Sequence, residues 1–532
     1  MRIYKNPCEQ SSDAAQAQSA ELITGQLRSR AASQPATMEV AAARDLLAPA
    51  LLLLAGLTAV LYALLRRGSG LRLPPSPLAL PFLGHLHLLA PLPHQALHRL
   101  AARHGPLLYL RLGSVPAVAA CSPDAAREVL KTHEAAFLDR PKPAAVHRLT
   151  YGGQDFSFSA YGPYWRFMKR ACVHELLAGR TLDRLRHVRS EEVARLVAAL
   201  ARSAAAGAGA AVDVDAALMG LTGDVVSRMV MSRRWTGDDV DTEEMRAVVA
   251  ETAELTGTFN LQDYIVVFKH WDVQGLGKRV DAVHRKFDAM MERILSPDGE
   301  GRREAAAAAR ERAPGTCWTC SSTCTRTKPP RCGSPGITSR RSCWRSWTPS
   351  WARPGSPTSV PNLPYLQAVA KETLRLHPTG PLVVRRSLEP CKVSGYDVPG
   401  GATVFVNVWA IGRDPASWGP DPLAFRPERF LEGENAGMDV RGQHFHLLPF
   451  GSGRRICPGA SLAMLVVQAA LAAMVQCFEW APVGGAPVDM EEGPGLTLPR
   501  KHPLFCTVKA RFDPMPALAA DEGAPAVAAG EE

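Results

Sequence analysis

The sequence predicts a chain that is mainly α with a small β region, on three observations. Apolar residues keep a helical period from Leu182 to Leu200 and again from Asp241 to Leu295. The run GASLAMLVVQAALAAMVQCFEW, from Gly459 onward, is strongly apolar and helical. Strand signals are few and short: Leu107 to Ala120 reads as a hairpin around Gly113-Ser114, and residues 493–505 (GPGLTLPRKHPLF) as a second whose tip lines a pocket. With 532 residues, 46% of them hydrophobic, one large helical domain with short appendages fits as well as several domains. Twelve Cys without regular spacing over most of the chain argue against a disulfide scaffold.

Residues 1–37 are polar and rich in Ala, Ser and Gln, which reads as a disordered or spurious leader, with Met38 the better start. Residues 46–65 (LLAPALLLLAGLTAVLYALL) carry no charge and are followed at once by Arg66-Arg67, a length that spans a bilayer as a helix. A cleaved signal peptide is the rival. The run is long for one, and the basic pair follows it, which favours an uncleaved anchor with the next domain in the cytosol. In a eukaryotic cell this places the chain at the endoplasmic reticulum membrane. Clustered prolines from Leu73 to Leu86 then make a stiff connector that holds a globular domain at a fixed angle to that membrane.

Pro123 to Thr132 reads as a helix. So does Tyr164 to Arg170, on which Trp165 and Lys169 are four apart and share a face. On spacing alone they are a packed Trp beside a solvated cation. His174, His187, His270 and His284 lie scattered and fit surface or core positions better than metal ligation.

Residues 313–360 break the pattern of their neighbours. Five of the twelve Cys and four of the ten Trp fall there, with seven Lys/Arg and no Asp or Glu. That segment carries seven of the net ten positive charges, so the rest of the chain is only mildly basic and no nucleic-acid partner is indicated. Cys317 and Cys320 have zinc-knuckle spacing, but no second pair and no His accompany them. The genetic code gives a better account. With GC-rich synonymous codons, shifting Thr316 to Arg340 by one base can spell DLLDLLLDMHEDEAAEMRLTRDNIK, an amphipathic helix, an acidic loop and a helix start. The same shift turns Ser346 to Ser356 into LDAVVGKTRL preceded by Glu. The segment therefore reads as out of frame, with an unusual loop as the alternative.

Ordinary sequence resumes near Pro361. Glu372 and Arg375, three apart, face the same way on a helix, and Pro427-Glu428-Arg429-Phe430 follows. The chain then reaches Phe450-Gly451-Ser452-Gly453-Arg454-Arg455-Ile456-Cys457-Pro458-Gly459. A lone Cys among glycines that allow close backbone approach, with arginines that pair with carboxylates, suits a thiolate presented to haem iron. A buried Cys in an ordinary Gly-rich turn is the plainer alternative.

The full F-x-x-G-x-R-x-C-x-G string resembles the cysteine loop of the cytochrome P450 family. The resemblance covers residues 71–312 and 361–510, with 511–532 a disordered tail, and implies a mostly helical fold with a small sheet region and haem b as cofactor. It implies Cys457 as the iron ligand, within a loop formed by Phe450, Gly453, Arg455 and Gly459. Trp165 and Lys169 match W-x-x-x-R/K, a pair on one haem propionate. Arg385, four after Pro381, matches the position that reaches the second, with Arg386 the lesser candidate. Glu372, Arg375 and Arg429 match a buried structural triad that supports the loop.

PYWRFMKR, PNLPYLQAVAKETLRLHPTGPLVVRRS and LPFGSGRRICPGASLAM look most like plant microsomal enzymes of the flavonoid branch, the group of flavone synthase II, flavanone 2-hydroxylase and isoflavone synthase. The resemblance implies O2-dependent hydroxylation or desaturation of a flavanone, with electrons from NADPH-cytochrome P450 reductase through a basic proximal face. The family's central helix carries A/G-G-x-D/E-T-T/S, and no such string occurs in this chain. The fold is accordingly expected to be incomplete, with no catalytic acid and alcohol to assign. An inactive product and a thiolate-haem isomerase or dehydratase are the alternative functions.

Overall fold

The computed structural model describes residues 70–295, with breaks at 208–209, 233 and 235–241, and residues 363–512. Residues 1–71 form a separate unit, in which a few positions such as Leu53, Leu54 and Leu57 are described, as helix. The leader, most of the expected anchor, the segment 313–360 and the tail beyond Phe512 lie outside the described residues.

Helix α1 (Pro93–His104) leads into the expected hairpin, β1 (Leu107–Leu112) and β2 (Val115–Ala120), which pair antiparallel with Leu112 opposite Val115. Gly113 makes the turn with φ +59°, and its missing Cβ is required because one would lie 2.3 Å from the Tyr264 carbonyl oxygen. Helix begins again at Pro123, capped by Ser122, whose side-chain oxygen accepts the Ala125 N–H at 3.3 Å. It widens to a π turn over Glu128–Thr132, so the expected helix spans two windings.

Next come α2 (Pro163–Ala171), α3 (Arg186–Ala205), a short strand β3 (Ala211–Asp213), α4 (Val214–Met231), α5 (Thr242–Gly257) and α6 (Leu276–Leu295). The long periodic stretch 241–295 is thus two helices and not one. Gly257 ends the first against another part of the chain, since a Cβ there would lie 2.0 Å from the Leu496 nitrogen. Asn260 then starts a separate turn by accepting the Gln262 N–H at 3.0 Å. Helices α5 and α6 close on each other through Met245, Val248 and Leu255 against Val280, Val283 and Met290.

After α7 (Pro364–Leu376) the chain builds β4 (Leu382–Arg386), a small hairpin of β5 (Cys391–Val393) and β6 (Tyr396–Val398), and the fully buried β7 (Thr403–Asn407). The main sheet runs β1-β2-β7-β4, with β2 and β7 parallel and the other pairs antiparallel. Strands β4 and β7 were not anticipated. The pleat of β4 settles an ambiguity between neighbours: Arg385 is buried and Arg386 is exposed, as alternation requires.

Helix α8 (Ala460–Cys477) follows the cysteine loop and runs into β8 (Phe478–Pro482), which pairs with β9 (Phe505–Ala510), itself paired with β3. The second expected hairpin is therefore shorter than 493–505. It is a turn closed by Gly493 and Lys501 N–H bonds to Pro499 and Glu491, whereas Phe505 already belongs to another sheet.

Helix α8 has the length and mean hydropathy (1.8) to cross a membrane, and it is packed against α3, α4 and α7. Val466, Ala470 and Ala473 meet Leu196, Val197 and Leu200 of α3 and Leu221, Val225 and Met229 of α4 in one core cluster. Its other side exposes Val467 and Val475, and α4 exposes Met219, Val226 and Val230, spaced seven and four apart along one stripe.

Candidate functional site

The cysteine loop is a tight winding that ends in α8. Gly451 and Gly453 adopt φ +73° and +72°, and between them the Ser452 hydroxyl donates to the Gly442 carbonyl at 2.6 Å. A 3-10 turn, Gly453–Arg455, closes with Ile456 N–H to Gly453 O at 3.1 Å, and Cys457 N–H donates back to Phe450 O at 3.0 Å. Cys457 is exposed. It stands two residues before Gly459, the N-cap of α8, so the positive end of that helix dipole lies beside the sulfur.

Next to the loop lies a recess lined by Val129, Leu130, Phe137, Leu138, Glu134, Ser452, Arg385 and Arg455. Cations converge on it. Arg455 is buried, donates to the Ser159 carbonyl at 2.7 Å and lies 4.7 Å from the Trp165 ring centre. Arg385 is buried on β4 and donates to the Val384 carbonyl at 3.0 Å. Arg140, half-buried, faces the Phe158 ring at 5.9 Å.

Burial, joined by like-charge repulsion from Arg140, depresses the guanidinium pKa of Arg385 to about 9 and of Arg455 to about 10, and burial lowers that of Arg140 as well. Among the described residues Arg140 Nε and Arg455 Nε have no hydrogen-bond partner. A guanidinium cluster with orphaned donors is costly to keep out of water unless an anionic group completes it. Two carboxylates on the edge of a flat apolar ring, beside a presented thiol, are such a group. The residues present therefore fit haem.

Trp165 and Lys169 were expected at one carboxylate. Trp165 is buried and its single indole hydrogen goes to the Phe156 carbonyl at 3.1 Å, with the two rings stacked. The Lys169 ammonium donates to the Arg454 carbonyl and lies 5.2 Å from the Trp165 ring centre. An ammonium has three hydrogens, so this bond leaves two donors free in principle.

Glu372 and Arg375 of α7 come together with Arg429 of the Pro427–Phe430 turn. Glu372 and Arg375 are 0% and 1% exposed and form a two-pronged ion pair, both bonds 2.7 Å. Arg429 adds a 3.1 Å bond to the same carboxylate, and the Arg426 N–H a 2.7 Å one. Arg375 also donates to the carbonyls of Gly412, Pro422 and Ala424, which ties α7 to the segment leading toward the loop.

Sequence reasoning missed Arg140 and Glu134. Arg140 had one faint signal, the following Pro141, which favours extended backbone before it. It also missed Glu492, which fixes the 491–501 turn. The Glu492 carboxylate lies 2.8 Å from His94 Nε2 and accepts from Gln95 and Trp409, each at 2.7 Å. Burial alone would raise its pKa, but these hydrogen bonds outweigh it and bring the value down from 4.5 to about 2. A depressed carboxylate pKa adds stability above the ordinary range, and that stability is lost as pH falls through about 2. Glu492→Gln should therefore cost roughly 2–3 kcal/mol at neutral pH, with the difference from the parent shrinking between about pH 4.5 and 2. Urea unfolding at pH 7 and pH 3 checks this.

A mainly helical domain with a small sheet, and a cation-lined recess beside a Gly-framed Cys, define a haem protein. The chain belongs to the cytochrome P450 family, whose model matches residues 74–308 and 353–507. Haem is its cofactor and monooxygenation its reaction class. Among similar proteins is cytochrome P450 93A3 of Glycine max, 42% identical over 482 residues, 84% of this chain and 94% of that one. The 3,9-dihydroxypterocarpan 6A-monooxygenase of Glycine max is 41% identical over 501 residues, covering 86% and 97%. The beta-amyrin 24-hydroxylase of the same plant is 38% identical over 498 residues, again 86% and 97%. A solved zebra fish cytochrome P450 with abiraterone superposes with TM-score 0.53 over 79% of this chain and all of that one. At 23% identity this speaks for the fold alone.

Proposed function

We propose that the gene product is a haem-thiolate monooxygenase acting on a flavanone or related flavonoid, with electrons supplied by NADPH-cytochrome P450 reductase. The observation that carries the site is the Cys457 loop set beside the guanidinium cluster of Arg140, Arg385 and Arg455, in which Arg140 Nε and Arg455 Nε have no hydrogen-bond partner among the described residues. The similarity to a pterocarpan monooxygenase supports a phenolic polycyclic substrate. The similarity to a triterpene hydroxylase widens the candidates to other apolar plant skeletons.

In this reading haem, when bound, supplies the redox chemistry that places one oxygen atom of O2 on the substrate. Cys457 would ligate the iron as thiolate, and the α8 dipole would help hold that charge. Arg385, Arg455 and Arg140 would hold the propionates, whose charge would offset the cost of keeping these cations from water. The Glu372–Arg375–Arg429 triad keeps the loop in place. The 491–501 turn, pinned by Glu492, forms part of the substrate wall.

Membrane attachment is through residues 46–65, at the endoplasmic reticulum face. It is supported by exposed Leu78 and Phe82 in the connector and by exposed Val266, Val267 and Trp271. The two segments approach each other across the β1–β2 turn, where Gly113 N–H donates to Leu83 O and Ser114 N–H to Tyr264 O.

A second reading rests on one specific observation. The family model stops at residue 308 and resumes at 353, and no A/G-G-x-D/E-T-T/S string exists in the chain. Residues 313–360 are read as a displaced frame, in which case this polypeptide lacks its proton-delivering acid and alcohol and is inactive. Sequencing the transcript across codons 312–361 separates the two. A frame-restored message with the central helix supports the enzyme, and a message matching this chain supports the inactive product. For the expressed chain, the reduced carbon-monoxide complex is expected to carry the red-shifted Soret band of thiolate ligation, and Cys457→Ser to abolish it. A parent chain without porphyrin, or a serine variant with an unchanged band, overturns the assignment of Cys457.

A further inference from the structure

The backbone of Arg454, three residues before Cys457, is held through its N–H and its carbonyl by charged side chains of two other elements. Glu134 opens the 3-10 turn Glu134–Phe137, and its Oε1 accepts the Arg454 N–H while its Oε2 lies 3.5 Å from Arg454 Nε. Lys169, in the last turn of α2, donates to the Arg454 carbonyl. The neighbouring residue is constrained to glycine by its φ of +72° and by the Leu130 backbone, with Glu134 filling the remaining space. At Gly453 a Cβ would lie 2.4 Å from Glu134 Oε1 and 2.9 Å from the Leu130 carbonyl oxygen.

The two peptide groups that flank the Arg454 Cα are thus bonded to ions of opposite sign, and charge-assisted bonds are about twice as strong as neutral ones. Between residue 454 and the sulfur the described backbone bonds are only Ile456 N–H to Gly453 O and Cys457 N–H to Phe450 O. The turn is otherwise exposed at Gly453 and Arg454, so without the clamp water would compete for the same groups.

We infer that Glu134 and Lys169 form a clamp on residue 454, with Glu134 a positioning residue that fixes where the Cys457 sulfur stands. The clamp itself is a property of the chain. Its effect on ligation rests on the reading of Cys457 as the haem ligand. Glu134 also lines the recess beside Arg385 and offsets part of that cation's repulsion, which places it where the loop and the cation cluster meet.

The test is hydrogen exchange of the full-length chain, read by mass spectrometry on peptides spanning 451–458, for the parent, Glu134→Ala, Glu134→Gln and Lys169→Met. Glu134→Ala should speed exchange of the Arg454 amide at least about tenfold. Glu134→Gln, which keeps an acceptor oxygen without charge, should fall between Ala and the parent. Lys169→Met should also quicken it, and peptides from α3 should be unchanged in every variant. If the Ala variant fails to fold, the Gln variant decides by the same readout.

The second readout is the reduced carbon-monoxide spectrum after haem loading, in which Glu134→Ala should move absorbance from the red-shifted band to the unshifted one. Unchanged exchange in the folded Glu134 variants overturns the clamp whether or not haem binds. Faster exchange with an unaltered spectrum overturns the positioning role. Faster exchange with no red-shifted band in the parent leaves the clamp standing and sinks the reading of Cys457.

Discussion

Arg375→Ala is expected to destabilise the domain by about 3–5 kcal/mol, the cost of leaving a buried charge without its partner. Glu372 would remain fully buried with only Arg429 and the Arg426 amide to satisfy it, and the carbonyls of Gly412, Pro422 and Ala424 would each lose a donor. Against the total stability of a typical domain, about 5–15 kcal/mol, that is a large fraction. Arg375→Lys should recover little, because an ammonium cannot reproduce the two-pronged geometry or reach three carbonyls at once. Urea unfolding of the three chains checks the order. A midpoint for Arg375→Ala within experimental error of the parent would remove the triad from any supporting role.

Arg385→Met should have effects of opposite sign in the haem-free and haem-loaded chain. Without haem, Arg385 is a buried cation with a pKa pressed down to about 9, one bond to its neighbour's carbonyl, and Arg140 and Arg455 close by. Replacing it by an apolar side chain of similar volume should stabilise the haem-free chain by about 1–4 kcal/mol. With haem, the same change removes a partner of the propionate edge and should speed haem loss. Urea unfolding of the haem-free proteins and haem transfer to an excess of an apo-globin give the two numbers. A variant less stable than the parent without haem would show that the cation is satisfied by the protein alone.

The parts of the site legible in the sequence were those carried by local chemistry. Gly451, Gly453 and Cys457 could be read together because the positive φ angles and the presented thiol lie within one short loop. Glu372 and Arg375 could be paired because three residues on a helix share a face, and the β1–β2 hairpin followed from one turn. What escaped was set by contacts distant in sequence. The parallel pairing of β2 with β7 joins Val118 to Val404, and no local pattern announces it. The break after α5 is imposed by Leu496 lying on Gly257. Arg140 and Glu134 earn their places only when the cysteine loop folds over them, and an extended arginine or a lone glutamate carries no mark of that in advance. Arg385 and Arg386 could have been separated earlier, since strand alternation allows only one of two neighbours to face inward.

The open stripe on α4, with Val467 and Val475 of α8 alongside, bears on the fate of the polypeptide more than on its chemistry. Water-avoiding helix surfaces of this kind are what chaperones seize and proteases follow, and they drive newly made copies together as concentration rises. Among the described residues the stripe is such a surface, so covering it should slow the loss of newly made copies.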